Sequence, residues 1–256
     1  MHIRRFCTLL LALAPAVSCH LAAQTAKNPP PPQPWQSESI STSVQTLANG
    51  ATITQKMRIV RAVDSRGREL AVSTTIPSAP NEEVQTTGSI LDPEKGSDTF
   101  WRSQGHQAWV REYPPVAEQH GCWQGPGYAR DYDARPAAHL PASSRRRSQR
   151  EVERLGTRTF MGLKADGQRW TTTVPAGQIG NNAPLVRTVE NWIAQSPHIP
   201  VYSIENDPQR GKTTLKLVGF KWGEPDPALF KPPADYKLIV QHMQKVPCAD
   251  LEPRKP

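Results

Sequence analysis

The dipeptide Asn49-Gly50 constrains the fold most, because it separates two runs of residues that alternate in polarity. In the run before it, every second side chain falls on one side of a predicted strand: Ile40, Thr42, Val44 and Thr46. The run from residue 52 to 63 alternates in the same way. Asn-Gly readily adopts the positive φ angles of a type I′ turn. We therefore predict a β-hairpin with a type I′ turn at Asn49-Gly50.

The same alternation recurs along the chain and predicts further strands. They cover residues 70–76, 89–92, 107–112, 153–163, 168–174, 185–194, 201–206 and 212–222. Turn residues at 64–67 and at Asp166-Gly167 predict reversals between them. A single helical turn is predicted at 226–230, with Asp226 as its N-cap. Strands dominate and long amphipathic helices are missing from the pattern, so we predict a mainly β fold built on an antiparallel sheet.

Composition divides the chain into segments. The length fits one domain, which we place at residues 39–236. Residues 113–150 are rich in Pro and Gly and contain Arg145-Arg146-Arg147, so we predict a long irregular insertion there. The arginines could bind anionic groups, but a solvated loop is the favoured interpretation, because such segments bury little apolar surface. Residues 237–256 are predicted to be a C-terminal tail.

The N-terminus has the pattern of a secretory signal over residues 1–23. Arg4 and Arg5 precede an apolar run, residues 6–17, that is shorter than the roughly 20 residues a transmembrane helix needs. We therefore expect export, to the periplasm, the outer membrane or the medium. Residues 24–38 hold five prolines among polar residues and are predicted to be an extended spacer.

Two modes of signal processing remain open. Cleavage after Ala23 would release a soluble chain, whereas residues 16–19 resemble a bacterial lipobox and make Cys19 a candidate lipidation site. After cleavage at Ala23, Cys122 and Cys248 would be the remaining cysteines, and an oxidising compartment favours a disulfide between them. Two separate thiols are the alternative, because the sequence does not reveal the distance between their Cα atoms.

The C-terminal half resembles a group of uncharacterised exported bacterial proteins, through residues 155–163 and 169–177 and through the closing motif. That motif, Asp226-Pro227-Ala228-Leu229-Phe230 followed by Pro233-Ala234-Asp235-Tyr236, is also similar to the end of the outer-membrane lipoprotein carrier superfamily. The resemblance to the uncharacterised exported proteins covers roughly residues 39–236. The resemblance to the carrier superfamily, through the closing motif, implies a strongly curved antiparallel sheet, a half barrel whose concave face holds acyl chains. It assigns no ligand-binding residue to this chain.

Motifs of catalysis are missing from the sequence. There is no Gly-x-Ser-x-Gly elbow, no His-Glu-x-x-His pair and no phosphate-binding loop with its Lys. His120 and Cys122 are two residues apart but have no companions that would complete a metal site. We therefore predict no catalytic residue, no metal, no cofactor and no enzymatic activity.

Charge and aromatic content narrow the class of partner. The chain carries a net charge of +8, of which Arg4 and Arg5 supply two, so the exported chain is moderately basic. Export makes nucleic acid an improbable partner. Six tryptophans could line an apolar pocket or bind sugars, although packing in the core is favoured: Trp101, Trp109, Trp123, Trp170, Trp192 and Trp222.

The function expected from these features is that of an exported envelope protein that binds or carries an apolar or amphiphilic ligand such as a lipid. The alternative is an envelope interaction or structural protein without a small ligand. Contact with a membrane is expected only through a lipid anchor on Cys19. The identity of any protein partner is left open.

Overall fold

A computed structural model describes residues 33–114, 120–125, 128–131 and 149–250. They form fifteen strands and two short 3₁₀ helices. The strands are β1 Trp35–Thr46, β2 Thr52–Val63, β3 Glu69–Ile76, β4 Thr86–Asp92, β5 Ser97–Arg102, β6 Gln107–Glu112, β7 Cys122–Gly125, β8 Tyr128–Asp131, β9 Gln149–Phe160, β10 Leu163–Val174, β11 Leu185–Ala194, β12 Pro200–Asp207, β13 Gly211–Trp222, β14 Lys237–His242 and β15 Gln244–Val246. The 3₁₀ helices are η1 Pro227–Phe230 and η2 Cys248–Asp250.

Twelve of the described strands form one sheet, in the order β14-β6-β5-β4-β3-β2-β1-β13-β12-β11-β10-β9. Neighbouring strands are antiparallel, except that β14 runs parallel to β6. The sheet is curved and does not close on itself. The predicted mainly β, half-barrel-like fold is therefore confirmed. The other three described strands form a small sheet in the order β15-β7-β8.

The first hairpin lies where the sequence predicted it, but the predicted turn type was wrong. Thr46 pairs with Thr52, so the loop has five residues. Gly50 has a φ of 83° and is the one residue of this loop with a positive φ, whereas a type I′ turn needs two. Instead, the Asn49 side-chain oxygen accepts a hydrogen bond from the Ala51 amide at 3.0 Å and holds the loop.

The turn predicted at Asp166-Gly167 was also wrong, because both residues lie inside β10. The reversal between β9 and β10 occurs at Met161-Gly162, whose φ angles are 49° and 82°. Gly167 lies directly opposite Trp192 of β11. A Cβ on Gly167 would come within 2.7 Å of the Trp192 ring. This glycine therefore makes room for an indole, and the sequence signal of a turn was misleading.

Several predicted segment boundaries differ from the structure. β1 begins at residue 35, inside the predicted spacer, and β5 was not predicted. The predicted irregular insertion contains β7, β8 and the start of β9, and the predicted tail contains β14 and β15. Local alternation did not reveal β14, because its apolar residues, Leu238, Ile239 and Val240, are consecutive and do not alternate with polar ones. The predicted signal at 1–23, Cys19, most of the spacer and Arg145-Arg146-Arg147 lie outside the described residues. The division into domains stays a prediction.

The sheet has two faces, and the strand register assigns residues to each, because directly opposed residues project to the same side. We call one the groove face; across β1, β2, β3 and β5 it carries Trp35, Arg61, Ala71 and Phe100. The other is called the outer face. It carries a buried cluster that Phe230 of η1 completes: Ala62, Leu70, Ile90, Trp101, Ala108 and Phe230.

The helical turn η1 forms as the sequence predicted. The Asp226 side chain accepts a hydrogen bond from the Ala228 amide at 2.9 Å, and Pro227 occupies the first helical position. Phe230 is the last residue of this turn and packs against the outer face. The Arg68 guanidinium carbon lies over its ring, 4.4 Å from the ring centroid. A second buried cluster involves the other half of the sheet: Trp35, Leu163, Ala165, Trp192, Ala194, Ile199, Val201 and Leu217.

Candidate functional site

A cavity of about 620 Å³ lies on the groove face. Its walls come from β1 to β6 on one side and from the connection between β11 and β12, residues 195–199, on the other. In the sheet order, β6 and β12 are seven strands apart, which in a flat sheet would separate them by roughly 34 Å. Arg111 of β6 and Ile199 beside β12 nevertheless line the same cavity. The sheet therefore curves around its groove face, and the outer face is convex.

The floor of the cavity is apolar. Its apolar side chains come from both walls: Trp35, Val63, Ala71, Leu91, Phe100 and Ile199. Trp35 and Ile199 are buried, whereas Leu91 keeps 45% of its surface exposed. The two aromatic rings of the floor each stack on another ring. The centroids of Phe100 and Trp109 are 6.1 Å apart, and those of Trp35 and Phe220 are 6.3 Å apart. The floor can thus bury the hydrocarbon part of a ligand.

Four charged side chains, together with the imidazole of His198, line the cavity among these apolar groups: Arg61, Glu69, Asp98 and Arg111. Two of them neutralise each other. The Arg111 Nε donates to Asp98 Oδ1 at 2.8 Å and its Nη2 donates to Oδ2 at 2.7 Å. The Tyr113 hydroxyl donates to the same Oδ2 at 2.7 Å. This bidentate pair is therefore fully engaged within the protein.

Arg61 differs from Arg111 in having no ion pair and no side-chain hydrogen bond within the described part of the chain. It lies on β2, directly opposite Ser37 of β1 and Ala71 of β3. Neither neighbour can neutralise a guanidinium, and Arg61 is partly buried. A half-buried, uncompensated guanidinium is a ready partner for a carboxylate or phosphate, because Arg presents several fixed donors to such groups.

The arrangement therefore suits a ligand with an apolar body and one acidic group. No group of three or more metal-ligating side chains occurs among the residues that the structure describes. Within the same residues, none of the helical segments has the length and apolar character to cross a bilayer.

The residues singled out by sequence lie elsewhere. Cys122 and Cys248 are joined by a disulfide, with their Cα atoms 5.0 Å apart, and link β7 to η2 beside the small sheet. Neither lines the cavity. Formation of this disulfide in solution stays a prediction. Because Cys122 is bonded to Cys248, it is not a partner for His120 in a metal site.

The six tryptophans considered from sequence also lie outside the cavity lining. Trp101 and Trp192 are 3% and 1% exposed and form parts of the two buried clusters, while Trp222 is 41% exposed. The tryptophan that does line the cavity, Trp35, was assigned to the spacer. The alternation in the sequence did not indicate it, because Trp35 shares its face of β1 with Ser37 and Ser39, which are polar, although all three residues are buried in the structure.

Arg61 was likewise overlooked. The alternation of β2 places Ile59, Arg61 and Val63 on one face, so that a charge interrupts an apolar series. A base on an otherwise apolar strand face needs a partner or a ligand. The other charged residues around the cavity, Glu69, Asp98 and Arg111, lie on three further strands, and the strand register determines which of them meet in space.

Comparison with known proteins gives fold-level similarity only. No protein-family model and no curated protein matches this sequence. Similar solved structures include the MucA/MucB complex of Pseudomonas aeruginosa, at 13% identity and a TM-score of 0.42, where the match covers 81% of this chain. The chain spans only 58% of the length of that structure.

Two further similar structures are nearer to this chain in length. A LolA superfamily protein from Nitrosomonas europaea has 8% identity and a TM-score of 0.29, with 78% of this chain and 91% of that chain covered. The lipoprotein LppX of Mycobacterium tuberculosis has 17% identity and a TM-score of 0.24, with 75% and 87% covered. The superfamily that the closing motif resembles is thus among the matches. All three TM-scores lie below 0.5, so the superpositions are loose, and function has to be inferred from this chain's own residues.

Proposed function

We propose that this chain is an exported envelope protein that binds, and can carry, an amphiphile with one acidic group. The apolar part of the ligand would lie on the floor formed by Trp35, Ala71, Phe100 and Ile199, and its acidic group would reach Arg61. The observation that carries this proposal is the uncompensated guanidinium of Arg61 beside an apolar floor. A neutral apolar ligand would leave this charge half-buried without a partner, which is unfavourable.

The size of the cavity supports the proposal. Its volume of about 620 Å³ falls within the roughly 300–1,000 Å³ typical of small-molecule sites. The carboxylate of Asp98 does not oppose an acidic ligand strongly, because Arg111 and Tyr113 already engage both of its oxygens. Glu69 is exposed at the rim, where water screens its charge.

A direct test uses cis-parinaric acid, a fluorescent fatty acid, with the exported chain. Ser89 lines the cavity, whereas Thr87 lies two residues away on the same strand and the same face, outside the lining. We expect Ser89→Trp to fill the cavity and to weaken binding at least about tenfold, while Thr87→Trp leaves it unchanged. Equal effects of the two substitutions, or no saturable binding by the unmodified chain, would contradict the proposal.

A second comparison separates the acidic group from the apolar part. Arg61→Gln should weaken binding of a fatty acid by roughly 10- to 100-fold, the range expected for a charged hydrogen bond. It should leave binding of the fatty alcohol of equal chain length nearly unchanged. Lys221→Gln, an exposed site on the outer face, is the matched control for loss of one positive charge. Equal losses for acid and alcohol would show that Arg61 does not contact the acidic group.

Gentle extraction of the protein from its native envelope tests the proposal without a chosen probe. Mass spectrometry of the intact protein should reveal a co-purifying acidic amphiphile that Ser89→Trp removes. If no such molecule accompanies the unmodified chain, the alternative of an envelope interaction or structural protein is favoured.

A further inference from the structure

The two faces of the central strands carry opposite net charge. Across β3, β2, β1, β13 and β12, the register places five bases and one acid on the outer face: Lys56, Arg58, Lys212, Lys216, Lys221 and Glu38. The groove face of the same strands carries one base and three acids: Arg61, Glu69, Glu205 and Asp207. The outer face thus concentrates the positive charge of this region.

The single acid on this outer surface is already engaged. Glu38 accepts hydrogen bonds from Arg58 Nε at 2.7 Å and from Arg58 Nη2 at 2.8 Å. This hydrogen bond from Arg58 lowers the pKa of Glu38, so the pair stays ionised and internally balanced at neutral pH. The four lysines have no ion pair and no side-chain hydrogen bond within the described residues, and all four are exposed. We call these four residues the lysine patch.

The lysines are spread over the surface and do not converge on a point. Lys212 and Lys216 are four residues apart on β13, or about 14 Å along the strand. Lys56 lies two strands away, on a level between them, because Thr42 of β1 pairs with both Lys56 and Thr214. Its Cα is therefore about 12 Å from each of the other two. Lysines at this spacing are placed to contact several anions at once and do not converge on a single phosphate.

The patch also occupies the middle of the convex face. β2, β1 and β13 are the sixth, seventh and eighth of the twelve strands in the sheet order. Where η1 does not cover the outer face, the central strands of a convex sheet approach a plane before the edges do, so the lysines on these strands can contact an extended planar surface. Lysine, a flexible point charge, suits a field of mobile anions better than one fixed bidentate partner.

We infer that the lysine patch docks the protein on an anionic lipid bilayer. This goes beyond the proposed function, because the patch lies on the face opposite the cavity and does not depend on a ligand there. Each lysine near an anionic bilayer strengthens binding about fivefold, so loss of three should weaken it roughly a hundredfold. Binding should also weaken between 0.1 and 0.5 M salt, because salt screens exposed charges.

The test measures co-sedimentation of the exported chain, without any lipid anchor, with vesicles of phosphatidylglycerol and phosphatidylcholine or of phosphatidylcholine alone. The first variant carries Lys56→Gln, Lys212→Gln and Lys216→Gln. The matched control carries Lys164→Gln, Lys231→Gln and Lys237→Gln, which remove the same charge away from the patch. We expect the patch variant to lose roughly a hundredfold in partitioning onto anionic vesicles, and the control to lose less than about threefold.

Several results would overturn the inference. Equal losses of vesicle binding in both triple variants would do so, as would the absence of any preference of the unmodified chain for anionic vesicles. Displacement of the protein from vesicles by soluble polyphosphate at equal charge concentration would assign the patch to soluble polyanions. A double variant, Lys56→Gln with Lys216→Gln, serves if the triple variant misfolds, with an expected loss of about 25-fold. Ser89→Trp should keep vesicle binding, so failure of the cavity proposal and failure of this one are distinguishable.

Discussion

Gly88→Ala is expected to destabilise the protein, because Trp101 occupies the space that a Cβ would need. Gly88 of β4 lies directly opposite Trp101 of β5. A Cβ built on Gly88 would overlap the indole at its Cζ2, Cε2 and Cη2 atoms. The glycine has no positive φ, so alanine itself fits the backbone. In a strand, alanine should even be favoured over glycine by about 0.5–1 kcal/mol. Any net loss in the free energy of unfolding would therefore come from displacement of the indole.

The size of the loss follows from the burial of Trp101. Trp101 is 3% exposed and belongs to the same buried cluster as Leu70 and Ile90. Complete expulsion of an aromatic ring that buries about 150–250 Å² would cost roughly 4–6 kcal/mol. Overpacking that the neighbours absorb by small shifts costs about 1–3 kcal/mol. Because the ring can tilt before it leaves the core, we expect the free energy of unfolding to fall by about 2–3 kcal/mol.

Urea unfolding followed by far-ultraviolet circular dichroism measures this loss independently of tryptophan fluorescence. Gly219→Ala is the control, because a Cβ there would meet only Glu38 Cβ at 3.5 Å, and its free energy of unfolding should stay the same or rise. In a Trp101→Leu background, which lacks the three overlapping atoms, Gly88→Ala should cost less than about 1 kcal/mol. Equal effects of Gly88→Ala and Gly219→Ala, or an undiminished loss in the leucine background, would refute the reasoning.

Three further predictions concern separate features. Burial raises the pKa of Asp64, but hydrogen bonds and the charge of Arg68, 2.6 Å away, outweigh it and hold that pKa below its ordinary value. Asp64→Asn should therefore lower the free energy of unfolding by about 3 kcal/mol at pH 7. The gap to the unmodified protein should start to shrink as pH falls through about 4, where the carboxyl group of the unfolded chain is protonated, and should level off only below the lower pKa of the native carboxylate. A gap independent of pH would contradict this. Alkylation should label Cys122 and Cys248 only after reduction, whereas labelling of the unreduced protein would exclude the disulfide. The intact mass of the exported chain should place its N-terminus at residue 24, and an acyl mass on Cys19 would exclude that cleavage.

The course of the sheet was largely predictable, because period-two alternation is a local property. The hairpin between β1 and β2 and the N-cap of η1 could be found from a few adjacent residues. One failure occurred where a side chain from another strand decides the local structure. Asp166-Gly167 has the composition of a turn, but Trp192 from the next strand fills the space over Gly167 and favours a continuous strand. The edge strand β14 was missed for another reason, since its three apolar residues are consecutive and do not alternate with polar ones.

The candidate site could not be predicted, because the role of each charged residue depends on which other charges lie next to it in the folded chain. Arg61 and Arg111 both lie on the groove face, and both interrupt strands of alternating polarity. The register places Asp98 directly opposite Arg111, across the hairpin of β5 and β6, and their charges cancel. The neighbours of Arg61 in the register are Ser37 and Ala71, which leave its charge unbalanced. Two residues of one type thus have different roles, one structural and one available to a ligand. That distinction follows from cross-strand pairing and explains why Arg61→Gln, not a change at Arg111, is the substitution that tests recognition of an acidic group.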